Sequence, residues 1–418
     1  MGMKTLVAPS TYTPLVSRLI LVLAIAMIGL GNASADTSSL WPEVPSPPHV
    51  DARSVAIVDL ARGELLYSLN PDEQIPPASL TKLMTMRLAL EAVKNGKIGL
   101  YDIVDIRHEE VNLPYGSSLM YLQAGMKVPF DDLLRGMAVI SGNDAALAVA
   151  RVLGGSTEGF ANMMNAEASR MGLSNTYFVE PSGLSSRNLT TAAEMAAFSR
   201  RYLLEDPEAI TNYHARYSME FPRAEVMPEG VPAPDNKILL RNRNNLLFNY
   251  DGCDGLKTGF IRQSGYNQVV TAEREGSRFI VVTMGGTTIA SRNNAGSQLL
   301  DWAFANWRTV DPQMPELPAV RAWGGASPMV DLVPAENGPF TVPRQYADSV
   351  SVRVEAESEI MAPIHAGQKM GSLVYLSGER VLKRVSLLAA GEVPQGHVFI
   401  RIRDALTRFF RDLFSKGY

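Results

Sequence analysis

Apolar residues follow several different periods along this chain, and each period predicts a different kind of element. From Ser54 to Asn70, "SVAIVDLARGELLYSLN" is two apolar runs of strand length around Ala61-Arg62-Gly63-Glu64, which predicts a β-hairpin. A helix is expected to open near Ser79 and to stop at Asn95-Gly96, a pair suited to a C-terminal cap. Its apolar positions, Leu80, Leu83, Met84, Met86, Leu88, Leu90 and Val93, occupy almost every face, so this helix should be buried all round. Residues 131 to 204 keep helical spacing. One helix runs from Asp131 through Leu133, Leu134, Met137 and Ile140; after a break at Ser141-Gly142-Asn143, others cover Ala145 to Leu153 and Phe160 to Met171. Thr191 and Glu194 have the spacing of a capping box that opens the next helix. Strand character returns in "GYNQVVTAE" and "RFIVVTMGG", a second hairpin around Arg274-Glu275-Gly276-Ser277, and "SQLLDWAFANW" reads as a closing helix. Strands at both ends with helices between them imply one α+β domain, residues 53–314, whose sheet joins distant parts of the chain.

The Pro-rich stretch "VDPQMPELPAV" marks a boundary near residue 315. Beyond it, "SVSVRVEAE", "SLVYLS" and "VLKRVSLLAA" alternate or run apolar at strand length, so residues 315–396 should form a small β-sandwich-like domain. In residues 397–418 the pattern changes again. Ile402, Leu406, Phe409, Phe410, Leu413 and Phe414 recur at helical spacing while Arg401, Arg408, Arg411 and Lys416 project elsewhere. Such a helix would lie flat in a membrane surface, phenylalanines among acyl chains and arginines among anionic headgroups, without spanning it. The competing expectation is a terminal helix docked by its apolar face on the protein's own core. At the other end, Lys4 and Arg18 precede the apolar run Leu19 to Leu30, and Ala33-Ser34-Ala35 offers a cleavage site. Residues 1–35 therefore read as an export signal and 36–52 as a linker, which points to an exported protein on the periplasmic face of the inner membrane.

Composition narrows the possibilities further. The 418 residues are 46% hydrophobic and 20% charged, enough apolar material for more than one core. A net charge of -4 with scattered basic residues argues against a nucleic-acid partner. Cys253 is the only cysteine, so no internal disulfide is available, and beside Asp254 and Gly255 it reads as a small packing residue rather than a nucleophile.

Candidate chemistry centres on "PASLTKLM". Ser79 and Lys82 stand at i and i+3 of the expected helix and share a face, within hydrogen-bonding reach. A serine hydroxyl is a poor nucleophile at neutral pH, and an amine removes its proton only if desolvation or another cation has lowered the lysine pKa. A buried helix supplies the desolvation, while its first turn points free N–H groups at an incoming acyl oxygen. By itself a Ser-x-x-Lys pattern is common. Two further elements give it weight: Ser141-Gly142-Asn143 interrupts a helical pattern, and Lys257-Thr258-Gly259 follows the turn signal Asp254-Gly255 where a strand should begin. A second ammonium would depress the first lysine further, Thr258 can bond a carboxylate, and Gly259 leaves room for a ligand beside the strand.

In this order the three elements, with Ser-x-Asn in the second place, match the signature of penicillin-binding proteins and class A β-lactamases. The chain resembles the low-molecular-mass penicillin-binding proteins that act as serine-type D-alanyl-D-alanine carboxypeptidases. The resemblance extends over "GSSLMYLQAGMKVPFDDLLRGMAVISGNDAALAVA", "LSNTYFVEPSGL", "RNRNNLLFNYDGCDGLKTG" and "APIHAGQKMGSLVY". It implies a transpeptidase-like catalytic domain, no cofactor, a peptidoglycan pentapeptide as substrate and β-lactams as covalent inhibitors. Ser79 would then be acylated, Lys82 would be its base, Ser141 would relay protons to the leaving D-alanine and Asn143 would hold the peptide amide. Lys257 and Thr258 would line the opposite wall, Thr258 binding the terminal carboxylate with Arg292 and Arg243 nearby. The backbone N–H groups of Ser79 and Phe260 would form the oxyanion hole. Phe260-Ile261 departs from the His or Tyr followed by Thr of many relatives and removes side-chain polarity from that rim.

Two other functions share part of the pattern. A class A β-lactamase needs a glutamate that positions the deacylating water, and Glu180 in "VEPSGL" lacks the E-x-x-L-N context. A wall-binding scaffold of weak activity would rely on the β-domain and the terminal helix. A histidine-dependent serine hydrolase is disfavoured, because His49, His108, His214, His365 and His397 accompany no G-x-S-x-G elbow.

Overall fold

A computed structural model describes residues 41–232 and 238–415. The export signal expected over residues 1–35 lies outside the described residues.

The first domain is built on a five-stranded antiparallel sheet. Its strands are β1 (Ser54–Asp59), β2 (Leu65–Leu69), β3 (Cys253–Ile261), β4 (Gly265–Arg274) and β5 (Ser277–Gly286), in the order β2-β1-β5-β4-β3. β1 pairs along its whole length with β5, Ser54 opposite Met284 and Asp59 opposite Phe279, so the two ends of the segment close into one sheet. Alternation along these strands divides two cores. Ala56, Val58, Ile280, Val282 and Met284 face a large cluster built by the central helices, while Val55, Ile57, Val270, Phe279 and Val281 face Leu299, Leu300, Trp302 and Ala303 on the other side. Both faces are covered, which explains why these strands read as nearly continuous apolar runs.

The helices of the first face are α1 (Thr81–Lys94), α2 (Phe130–Val139), α3 (Asn143–Gly154), α4 (Thr157–Arg170) and α5 (Ala192–Glu205); α6 (Ile289–Asn306) covers the second. α1 is buried without a break from Thr81 to Leu90, as its all-round apolar pattern requires. Two local expectations need correction. Thr191 does cap α5 by accepting from the backbone N–H of Glu194, but Glu194 does not return the bond: its carboxylate accepts from Asn175 N–H (2.8 Å) and the Thr176 hydroxyl (2.5 Å), fastening an earlier loop instead. α6 begins at Ile289, well before the apolar run that announced it, because Thr288 and Ser291 form a reciprocal capping box around a polar first turn. That turn carries Arg292.

Residues 41–52, read as part of a linker, pack against both domains: Trp302 of the first donates its indole N–H to Pro45 O (2.8 Å), and Trp41 lies against Tyr346 of the second. The second domain has a four-stranded antiparallel sheet and a three-stranded mixed sheet around a core that includes Val320, Phe340, Leu373 and Leu387. Strand Trp307–Val310 pairs with Phe340–Pro343, and Arg62 donates to the carbonyls of Asn337, Gly338 and Pro339, so the two domains are stitched together. The chain ends in α7 (Val398–Ser415).

Candidate active site

Pro77 leads into a single 3-10 turn, Ala78–Leu80, which passes directly into α1. Ala78 takes φ +52°, a left-handed conformation costly for a residue with a Cβ, and the next residue is the half-buried Ser79. Two glycines allow this turn to be enclosed. A Cβ on Gly183 would stand 1.8 Å from Ala78 O, and one on Gly259 would stand 2.9 Å from Ser79 N.

One turn into α1, Lys82 is wholly buried, and its Nζ lies 3.1 Å from Ser79 Oγ, 2.6 Å from Asn143 Oδ1 and 2.5 Å from Ser182 O. These three contacts suit a neutral amine: two N–H bonds go to the two carbonyl oxygens and the lone pair is left for the serine hydroxyl. Burial lowers the Lys82 pKa to about 7, against the opposing pull of Glu180 and Asp144. Neither carboxylate is near Lys82 along the chain, so their influence on it emerges only in the folded structure.

Lys257 is also buried, on β3, with Nζ donating to Thr258 O (3.0 Å). Burial and then the positive charges of Lys82, Arg243 and Arg292 push its pKa well below the ordinary lysine range. This modifies one expectation. Burial, not the second ammonium, depresses Lys82: the charges that act on it are the carboxylates of Glu180 and Asp144, which oppose the shift.

The Ser141-Gly142-Asn143 break falls between α2 and α3. Ser141 holds φ +65°, and its buried Oγ has no partner among the described residues. Asn143 is buried and receives the Lys82 amine on Oδ1. Asp144, unremarked in the sequence, accepts the N–H groups of Met120 (3.0 Å) and Leu122 (3.1 Å) and so fixes one side of the cleft to the start of α3.

A cleft of about 630 Å³ is lined by Ser79, Ser141, Thr258, Gly259, Phe260, Arg243 and Arg292. Lys82, Asn143 and Lys257 stand behind that lining and reach it only through the groups they contact. Arg292 is buried on the first turn of α6, its Nε and Nη2 donating to Asn293 Oδ1, and burial lowers its pKa to about 10. Arg243 is exposed at the cleft wall, where its backbone N–H donates to Val139 O (3.1 Å). Phe260 is 51% exposed and lies against Tyr266 with ring centres 4.3 Å apart, so the rim that lost polarity has gained an aromatic pair.

Glu180 is occupied elsewhere. Its carboxylate accepts from Ser182 N and Oγ, Gly183 N, Ser185 N and Asn188 Nδ2, which shapes the loop that carries the Ser182 carbonyl. His214 is buried between Tyr202 OH and Leu256 O, and burial lowers its pKa to about 3, so it remains a neutral packing group. Burial pushes the Cys253 thiol up to about 12, which removes its nucleophilic form at neutral pH.

A family model described as D-alanyl-D-alanine carboxypeptidase matches residues 42–288. The chain belongs to this D-alanyl-D-alanine carboxypeptidase family. A second family model, described as penicillin-binding protein 5, C-terminal domain, matches residues 316–395. The D-alanyl-D-alanine carboxypeptidase DacA of Escherichia coli K12 is 32% identical over 410 residues, 96% of this chain and 98% of that protein. A crystal structure of penicillin binding protein 5 from Haemophilus influenzae aligns with TM-score 0.73 and 32% identity, covering 84% of this chain and all of that one. Penicillin-Binding Protein D2 from Listeria monocytogenes in its cefotaxime-bound form is 30% identical, with TM-score 0.54, over 62% of this chain and all of that one. This family is one of serine-type carboxypeptidases, and the α+β catalytic domain followed by a β-rich domain is its architecture.

Proposed function

We propose that this carboxypeptidase removes the terminal D-alanine of peptidoglycan pentapeptides through an acyl-enzyme on Ser79. Ser79 Oγ attacks the carbonyl carbon of the penultimate D-alanine as its proton passes to the neutral Lys82 amine. The developing oxyanion is held by the N–H groups of Ser79 and Phe260, each worth about 3 kcal/mol in the transition state. Ser141 Oγ passes a proton to the amine of the departing D-alanine, whose carboxylate is bound by Thr258 with Arg292 and Arg243. Water then cleaves the ester and releases the tetrapeptide.

The observation that carries this reading is the Lys82 amine placed against Ser79 by two other acceptors in a buried site. The test is release of free D-alanine from diacetyl-Lys-D-Ala-D-Ala by the purified protein, with Ser79→Ala as control. Absence of release together with rapid β-lactam hydrolysis would favour a β-lactamase instead. That alternative lacks its glutamate, since Glu180 is bound up within its own loop. By the same chemistry β-lactams should acylate Ser79 and be released slowly.

The protein would work from the periplasmic face of the inner membrane, held there by α7. The support is which side of the helix meets the protein. Arg411 and Asp404 contact the β-domain at Glu359 and Gly324, while Ile402, Leu406, Phe410, Leu413 and Phe414 are exposed. Docking by the polar face leaves the apolar face for a bilayer surface. Among the described residues no helix is long and apolar enough to cross a membrane.

A further inference from the structure

Between the polar side of α7 and the β-domain lies a second cavity, of about 450 Å³, that the proposed reaction does not use. Trp323 and Met361 line it from the β-domain, and Arg401, Arg408 and Phe409 line it from α7. Two carboxylates also face it, and both are engaged: Asp404 accepts from Gly324 N (2.9 Å) and Arg403 (2.8 Å), and Asp412 from Arg411 (3.1 Å). The two arginines of the lining are different. Arg408 Nε is buried without an acceptor among the described residues, and its Nη1 reaches only Met361 Sδ (2.7 Å), a weak acceptor. Arg401, two helical turns earlier, has no side-chain acceptor among the described residues.

A buried guanidinium N–H without a partner is costly unless an acceptor arrives, and a guanidinium is suited to the bidentate capture of a phosphate. The surroundings indicate where that phosphate comes from. Phe409 sits on the rim and is 61% exposed, beside the apolar face that Leu406, Phe410 and Leu413 turn outward. With that face in a bilayer surface, the cavity would be held at headgroup level.

We propose that this cavity binds the phosphate of an anionic membrane phospholipid between Arg401 and Arg408, with Trp323 and Met361 against the glycerol region of the lipid. The inference rests on α7 being a surface anchor and adds lipid selectivity to it.

The test is co-sedimentation of the protein with vesicles of phosphatidylcholine alone and of equal phosphatidylcholine and phosphatidylglycerol. A surface arginine that only senses the field of an anionic membrane changes binding about fivefold. Arg403 provides that control, because it lies on α7 but not in the cavity. Arg401→Gln and Arg408→Gln are each expected to weaken binding to the mixed vesicles by more than about tenfold, against at most about fivefold for Arg403→Gln. Binding to phosphatidylcholine should be unchanged in all three. Equal loss in Arg403→Gln and Arg408→Gln, or equal binding of the unaltered protein to both vesicles, would overturn the cavity site and leave the anchor standing. Binding of inorganic phosphate that is lost in Arg408→Gln, without any preference of the unaltered protein for the mixed vesicles, would assign the cavity to a free anion and overturn the lipid. Failure to bind either vesicle would strike the anchor itself.

Discussion

Gly259 of β3 passes so close to Ser79 that a single methyl group on it would stand 2.9 Å from the serine backbone nitrogen. That nitrogen is one of the two proposed oxyanion donors, so the close approach sets the shape of the site. Gly259→Ala must push the strand or the turn aside. It is expected to lower the rate of D-alanine release and of penicillin acylation by about a hundredfold or more, the effect of losing an oxyanion donor. Far-ultraviolet circular dichroism should remain that of the unaltered protein, and steady-state and acylation kinetics provide the check.

Glu180 makes an independent case. It shapes the loop that presents Ser182 O to Lys82, and its charge raises the Lys82 pKa. Glu180→Gln should cost about 1–3 kcal/mol of stability through its unmatched loop bonds, measured by thermal denaturation. It should also move the acid limb of the acylation profile to lower pH, since less negative charge favours the neutral amine. Selective accumulation of acyl-enzyme with an unmoved profile would instead give Glu180 the deacylating role of a lactamase.

The terminal helix can be separated from the chemistry. Truncation from residue 398 onward removes the exposed Phe and Leu side chains of α7 while leaving the cleft residues untouched. Such a protein should be released from membranes and should cleave a soluble peptide at an unchanged rate. Continued sedimentation with membranes would contradict the anchor.

Much of this molecule was legible in its sequence because its signals are local. The all-round apolar pattern of α1, the two hairpins and the three spaced motifs each depend on neighbours along the chain. Burial of Lys82 followed from the helix pattern alone. What was hidden depends on contacts between distant segments. Ser182 O, which completes the Lys82 environment, comes from a loop a hundred positions away. Asp144 looks like an ordinary first-turn acid until Met120 and Leu122 are seen to donate to it. Arg292 was found by family resemblance, and the start of α6 was placed too late, because a polar first turn held by Thr288 and Ser291 has no apolar period. The docking face of α7 was equally unreadable, since amphipathicity identifies two faces but not which one meets protein.

The central claim is that Lys82 is the base and that burial leaves a large share of it neutral at working pH. The direct measurement is the second-order rate of penicillin acylation between pH 5 and pH 10, followed by intact-protein mass. A base is active without its proton, so the rate should rise with pH through an inflection near the Lys82 value of about 7 and then level off, with the adduct on Ser79 and none on Ser79→Ala. A rate that is flat across this range, or that first rises only near the ordinary lysine pKa, would contradict the account.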